Sequence, residues 1–316
     1  MLIEPQGVAP TPFLSRRRTL QLLAGLPLAV HLSASPATPL LRRPIPASGE
    51  LLPAIGLGTW QAFDVAGQAE ELVQARAALS RFAELGASVV DSSPMYGTSE
   101  SVLGELAAAL GVHQRLFLAT KVWTSGREVG IRQMEQSIAR MRVALKGPLD
   151  LMQVHNLVDA KTHLATLQDW KAAGRVRYVG VTHYHEGAYA EIERALRAGG
   201  LDFVQINYSL AERSADRRLL GLAADMRIAV IVNRPLAGGS LFGRIRGTPL
   251  PGWAAEFGCA SWAQFFLKWI LAHPAVTCAI PGTRNRKYIE DNLGAAVGAL
   301  PDAAMRRKMA AHIDAL

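Results

Sequence analysis

Val89-Val90-Asp91-Ser92-Ser93-Pro94-Met95-Tyr96-Gly97 sets two β-branched residues before a carboxylate, then a proline turn, then a tyrosine. The β-branched pair predicts the end of a short buried strand, and Ser-Ser-Pro predicts the loop that leaves it. Asp91 then stands at the rim of a sheet, and Tyr96, five residues on, is placed to fold back over it. Beyond the loop the period changes. Leu103, Leu106 and Leu110 recur three and four apart, the spacing of one helical face. The stretch therefore opens a strand–loop–helix unit, and the chain on either side repeats that unit.

Strand-like runs fall at Ala54–Gly58, Ser88–Asp91, Leu116–Lys121, Leu149–His155, Val176–Thr182, Phe203–Tyr208, Ala229–Val232 and Thr277–Ile280. Helices are predicted near 68–86, 99–110, 129–145, 161–174, 186–198, 215–226, 260–272 and 286–297, with Gly174 and Gly199-Gly200 as stops. Strands that alternate with helices predict a parallel sheet, and eight such units are the number that closes. The expected fold is an α/β (β/α)8 TIM barrel over residues 45–316, with an N-terminal hairpin and a C-terminal extra helix. The hairpin is read as Arg43–Ile45 against Leu51–Leu52 across Ser48-Gly49. A doubly wound sheet would have fewer strands and a glycine-rich first turn. Gly56-Leu57-Gly58-Thr59-Trp60-Gln61 begins like that turn, but Gln61 stands in place of the third glycine and no helix opens there.

Half of the 316 residues are hydrophobic, enough for a large core that needs no staple. The net charge of +8 is uneven: residues 1–43 carry five arginines and one acid, Glu4, so half of the excess lies there. With no recognition motif in the remainder, the basic balance does not argue for nucleic acid. Two cysteines, Cys259 and Cys278, exclude a disulfide framework, and Cys278 in its apolar run reads as a small core residue. Ser15-Arg16-Arg17-Arg18-Thr19 leads into a short apolar run from Leu22 to Val30 and small residues at 33–37. That order predicts an export signal over 1–37, and the paired arginines resemble a twin-arginine signal, although Thr19 stands where a large apolar residue is usual. The apolar run is too short to span a membrane. Residues 38–44 read as linker. The expected location is periplasmic, through the twin-arginine export machinery, or cytoplasmic if the segment is not functional.

Strands two, three and four end at Asp91, Lys121 and His155, and Tyr96 lies on the loop above. In a barrel the chemistry gathers at the C-terminal strand ends, so one rim receives an acid, an ammonium, an imidazole and a phenol. Each alone has a plainer reading: a helix cap, a snorkelling lysine, a structural histidine, a packed tyrosine. Together they suit proton delivery to a carbonyl. An ammonium beside a phenol favours its ionisation, and a carboxylate holds that ammonium in place. Tyr96 would then protonate the oxyanion left when hydride reaches the carbon, with His155 orienting the carbonyl oxygen and no metal required.

The chain resembles the aldo/keto reductases from Ile45 to Val297. The resemblance is carried by Gly56–Trp60, Asp91 with Tyr96-Gly97 and Ser99-Glu100, Lys121-Val122-Trp123, Asp150–His155, Gly174–Val181, Gln205, Pro235-Leu236 with Gly239, Ile280–Thr283 and Glu290-Asp291-Asn292. It implies that Asp91, Tyr96, Lys121 and His155 form the family's tetrad. It also implies NADP as cofactor, with NAD as the alternative. The residues implied to hold it are Gly58, Thr59, Thr182, His183, Gln205, Asn233, Arg234, Pro235, Leu236, Gly239, Thr283, Arg284, Asp291 and Asn292. Three places depart from the pattern. Thr182-His183 stands where the family has Ser-Asn, and Asn233-Arg234 where many members stack an aromatic ring. Gly282 and Tyr288 stand where a lysine and an arginine often clamp the 2′-phosphate, leaving Arg284 and Arg286 nearby. Trp60 and Trp123 are expected to wall a pocket for a small carbonyl compound. Two rivals stay open: a regulatory barrel that binds NADP without catalysis, and a metal-dependent hydrolase using His183 and His185. Nucleotide binding without carbonyl reduction would mark the first, stoichiometric zinc the second.

Overall fold

The computed structural model describes residues 39–316, so the predicted export signal lies outside the described residues. In chain order the elements are β1 Arg42–Pro44, β2 Leu51–Pro53, β3 Leu57–Gly58, α1 Ala69–Glu84, β4 Val89–Asp91, α2 Ser99–Leu110, β5 Phe117–Val122 and α3 Arg127–Arg140. There follow β6 Leu149–His155, α4 Ala160–Ala172, β7 Val176–Thr182, α5 Tyr189–Ala198, β8 Phe203–Asn207, α6 Leu219–Asp225, β9 Ala229–Asn233 and α7 Ser240–Arg244. The last are α8 Trp262–Leu271, β10 Val276–Ala279, α9 Arg286–Gly294 and α10 Ala303–Asp314.

β3 to β10 form one eight-stranded sheet, each strand bonded to its sequence neighbour, and all pairings are parallel. Parallel bridges from Ile55 to Ala279 and from Gly58 to Gly282 join the first strand to the last, closing the barrel. The predicted strands are all present, shifted by a residue or two at the ends; the first keeps regular pairing only at Leu57 and Gly58. Strand alternation divides the side chains between two cores. One set, including Val90, Leu118, Met152 and Val204, packs outward against the helices. The other set points into the barrel: Val89, Phe117, Leu151, Tyr178, Phe203 and Ile231, with Ile45 and Leu52 of the hairpin sealing the lower end. Continuing the inward alternation up each strand reaches Asp91, Lys121, Gln153, His155, Thr182, Gln205 and Asn233. The barrel is apolar below and polar above.

Three expectations need correcting. The hairpin strands are Arg42–Pro44 and Leu51–Pro53, so residues 42–44 are a paired strand rather than linker. The predicted helix near 129–145 ends at Arg140, because Arg142 takes a left-handed backbone and a short 3-10 turn follows at Val143–Leu145. The helices predicted from 186 and 215 each open with a 3-10 turn before α5 and α6 begin. Among the described residues no helix is long and apolar enough to cross a membrane. A cavity of about 450 Å³ lies at the lower end, lined by Arg42, Lys146, Asp150 and Arg177 among others. Its Lys146 and Arg177 are both paired with Asp150.

Candidate active site

Asp91 ends β4 and Lys121 lies on β5, and both side chains are buried. Lys121 Nζ donates to Asp91 Oδ2 at 2.6 Å and to Ser92 O at 2.6 Å. The same ammonium stands 4.9 Å from the centroid of the Tyr96 ring. Tyr96 reaches this position because the chain turns sharply at Gly97. That residue has φ of +56°, and a Cβ there would come within 2.3 Å of the Asp64 carboxylate. The Asp64 carboxylate instead accepts from the Thr98 N–H and hydroxyl, pinning the loop as it enters α2.

His155 ends β6 and meets Tyr96 edge to face, with ring centroids 5.9 Å apart. Its Nδ1 lies 3.0 Å from Ser93 Oγ. Ser93 Oγ already accepts from the Met95 N–H, so its own proton is available to donate to Nδ1. With Ser93 donating, Nδ1 accepts and the ring proton sits on Nε2, the nitrogen that can donate to a substrate oxygen. Asp91, Tyr96, Lys121 and His155 thus converge on one end of the barrel, and Ser93 joins them, a residue that no spacing pattern reveals.

Electrostatics assigns the protons. Burial pushes the Tyr96 phenol above its ordinary value; the Lys121 charge pulls it down, Asp91 adds to the rise, and the net direction is upward. The expectation that Lys121 would favour the phenolate is therefore corrected: desolvation wins and Tyr96 stays a phenol at neutral pH. Burial pulls the Lys121 ammonium down, but Asp91 and Tyr96 beside it more than compensate. His155 is driven to about 2 by burial, then by Lys121 and His183, so it is neutral in the folded protein. An unfolded histidine binds its proton near ~6.5. The folded state thus holds fewer protons below that pH, and the stability His155 contributes is complete above ~6.5 and falls as pH drops. One such group loses at most about 1.4 kcal/mol per pH unit. Urea unfolding at pH 7, 6 and 5 should show a smaller acid loss for His155→Gln than for the wild type.

The residues assigned to the cofactor divide into two groups. Thr59, Gln205 and Asp291 are placed as braces. Thr59 Oγ1 donates to Asp91 O at 3.0 Å, lies 2.9 Å from Ser92 Oγ and is fully buried. Gln205 Nε2 donates to Asp91 Oδ1 at 2.8 Å, while its Oε1 accepts from Thr182 Oγ1 at 3.1 Å. Asp291 accepts from Ser261 Oγ and Gln264 Nε2 at the start of α8. The second group faces the rim. Asn233 Nδ2 donates to His183 O at 3.0 Å, and its Oδ1 is buried without a donor among the described residues. Arg234 Nε and Arg284 Nε are buried donors likewise without an acceptor. Pro235 and Asn292 are buried, Gly58, Leu236 and Thr283 half-buried, and Gly239 exposed beside a left-handed turn. The His183 ring stacks on Tyr184 and meets His185 edge on at 4.4 Å. Among the described residues no three His, Cys, Asp or Glu side chains converge to hold a metal ion. Among the described residues, six of the eight non-glycine residues with positive φ, Gln61, Asn156, Leu157, Asp159, Arg234 and Ala237, lie in loops leaving the upper strand ends. Backbone strain of that kind gathers where a site must be held. Trp60 and Trp123 are 54% and 42% exposed, so neither is packed into the rim. The Trp123 backbone is clamped on both sides by the Gln133 amide.

A barrel whose polar end gathers a phenol, an ammonium, a carboxylate and a neutral imidazole has the equipment of a carbonyl oxidoreductase. Residues 54–312 match the profile of the aldo/keto reductase family, and the chain belongs to it. Methylglyoxal reductase YeaE of Escherichia coli is 29% identical over 253 residues, covering 78% of this chain and 86% of that protein. Aldo-keto reductase yakc [NADP(+)] of Schizosaccharomyces pombe is 26% identical over 81% of this chain and 87% of its own length. The crystal structure of an aldo/keto reductase from Klebsiella pneumoniae in complex with NADP and acetate superposes with a TM-score of 0.68 at 26% identity, covering 84% of this chain and 92% of that one.

Proposed function

We propose that this protein reduces aldehydes or ketones to alcohols with NADPH, NADH being the less favoured donor, and that Tyr96 is the general acid. The observation that carries the proposal is one ammonium, Lys121 Nζ, held 2.6 Å from Asp91 and 4.9 Å from the Tyr96 ring centroid, with His155 edge-on to that ring. The rim fits a dinucleotide. The orphaned Asn233 Oδ1 is an acceptor for a carboxamide, and the unpartnered Arg234 Nε and Arg284 Nε are donors for phosphate. Thr182, His183 and Asn233 would hold the nicotinamide end, with Thr283 and Arg284 at the other. When bound there, the nicotinamide supplies hydride to the carbonyl carbon. His155 Nε2–H orients the carbonyl oxygen, and Tyr96 delivers its phenolic proton to that oxygen as negative charge develops. Lys121 steadies the phenolate that remains, and Asp91 fixes Lys121.

Two relatives support the direction and the donor by their names, one a methylglyoxal reductase and one marked NADP(+). The test is loss of NADPH absorbance with a panel of carbonyl compounds that includes methylglyoxal, matched to alcohol formed. Nucleotide binding with no turnover on any of them would favour a regulatory barrel instead. We also read residues 1–37 as an export signal, supported by the arginine, apolar and small-residue regions in their proper order. Cell fractionation tests it: the processed protein should be recovered from the periplasm, and an unprocessed cytoplasmic protein would refute it.

A further inference from the structure

Asp91 offers two carboxylate oxygens, and Lys121 occupies only Oδ2. Oδ1 receives two side-chain amides, from Gln205 at 2.8 Å and from Gln153 at 3.1 Å. Gln153 lies on β6 two residues before His155, fully buried inside the barrel. Its own carbonyl, Oε1, is buried with no partner among the described residues. Turning the amide over would set that oxygen against the carboxylate, so the donor orientation is forced by charge. As packing, this residue is a poor choice, since a buried unpartnered acceptor carries a desolvation cost that a methionine or leucine would not incur. The neighbouring strand nevertheless makes room for it. Gly180 pairs with Gln153 in register, and a Cβ at 180 would lie 2.9 Å from Phe203 O and 3.3 Å from Gln153 Cγ.

We propose that Gln153 is a positioning residue for proton transfer: its amide and that of Gln205 partly neutralise Asp91, so that Asp91 anchors Lys121 without imposing its full charge on Tyr96. The proposal rests on Tyr96 being the acid. The groups facing this cluster are few. Asp91 comes from β4, Lys121 from β5, His155 from β6, His183 from beyond β7 and Cys278 from β10. Burial pushes the Cys278 thiol upward and holds His155 at about 2, so Asp91 and Lys121 are the charges that act on Tyr96 at neutral pH. An unshielded carboxylate repels a phenolate. Removing an amide from Oδ1 should therefore make Tyr96 a weaker acid. Through Gln205, whose Oε1 accepts from Thr182 and Asn233, the same carboxylate is tied to the rim where the nicotinamide end would bind.

The experiment compares Gln153→Met with the wild type by three readouts. One is kcat and KM for carbonyl reduction across pH. Another is Tyr96 ionisation without turnover, read as the absorbance difference between each protein and its Tyr96→Phe counterpart. The last is thermal unfolding. The expected result is kcat about 10-fold lower with KM little changed, the alkaline limb and the Tyr96 titration both displaced to higher pH, and Tm equal or higher. Gln205→Met should displace the titration in the same direction. A titration that does not move, or moves to lower pH, overturns the proposal. So does loss of the folded state in both variants, which would make the amides structural. If Tyr96→Phe keeps full activity, the acid assignment itself fails, and that outcome is read separately from the Gln153 comparison.

Discussion

Tyr96→Phe should lower carbonyl reduction by on the order of 10²–10⁴-fold, the usual contribution of a positioned acid, while NADPH binding stays close to that of the wild type. The change removes one oxygen and leaves the ring against His155 and Lys121, so the walls of the site persist. What disappears is the phenolic proton held beside the neutral His155. Lys121 cannot replace it. Asp91 and Tyr96 raise its pKa despite burial, so it keeps its proton. Nor can His155, which is neutral with its folded value near 2. Fluorescence titration with NADPH beside steady-state turnover checks both halves of the prediction.

Lys121→Met should lower stability sharply. Lys121 has no exposed side-chain surface and Asp91 only 3%, so the pair is sealed from water. Removing one partner of a buried pair leaves the other charge uncompensated, at a cost of about 3–5 kcal/mol. The amides of Gln153 and Gln205 remain on Oδ1 and moderate the loss, but Oδ2 and Ser92 O both lose their donor. Activity should fall with it, because the phenolate left after proton delivery loses its cation. Replacing Asp91 as well, in Asp91→Leu/Lys121→Met, should recover part of the stability and none of the activity. Chemical denaturation of the single and double variants measures the difference.

How much of this was legible from sequence follows from the geometry of a barrel strand. Period-two alternation and the rule that chemistry sits at strand C-termini were enough to bring Asp91, Lys121 and His155 to one rim, and the loop length to Tyr96 did the rest. Gln153 is not legible in the sequence, because its partner is on β4, two strands away, and a glutamine inside an apolar run carries no signal of its own. Ser93 was hidden in the same way, as its meaning depends on which nitrogen of His155 it meets. The resemblance implies cofactor contacts for Thr59, Gln205 and Asp291, and in the folded chain their side-chain polar atoms meet Asp91, Thr182, Ser261 and Gln264. The helix ends that shifted, at Arg140 and before α5 and α6, are set by local turns that hydrophobic periodicity does not encode.

In the proposed reaction a phenol, and not an imidazole, gives up the proton. The pH dependence of kcat/KM for carbonyl reduction separates the two. If Tyr96 is the acid, the profile is level through neutral pH and falls only in the alkaline range, above where a free tyrosine ionises. A fall centred between pH 6 and 7 would make a protonated His155 the donor and would contradict the account.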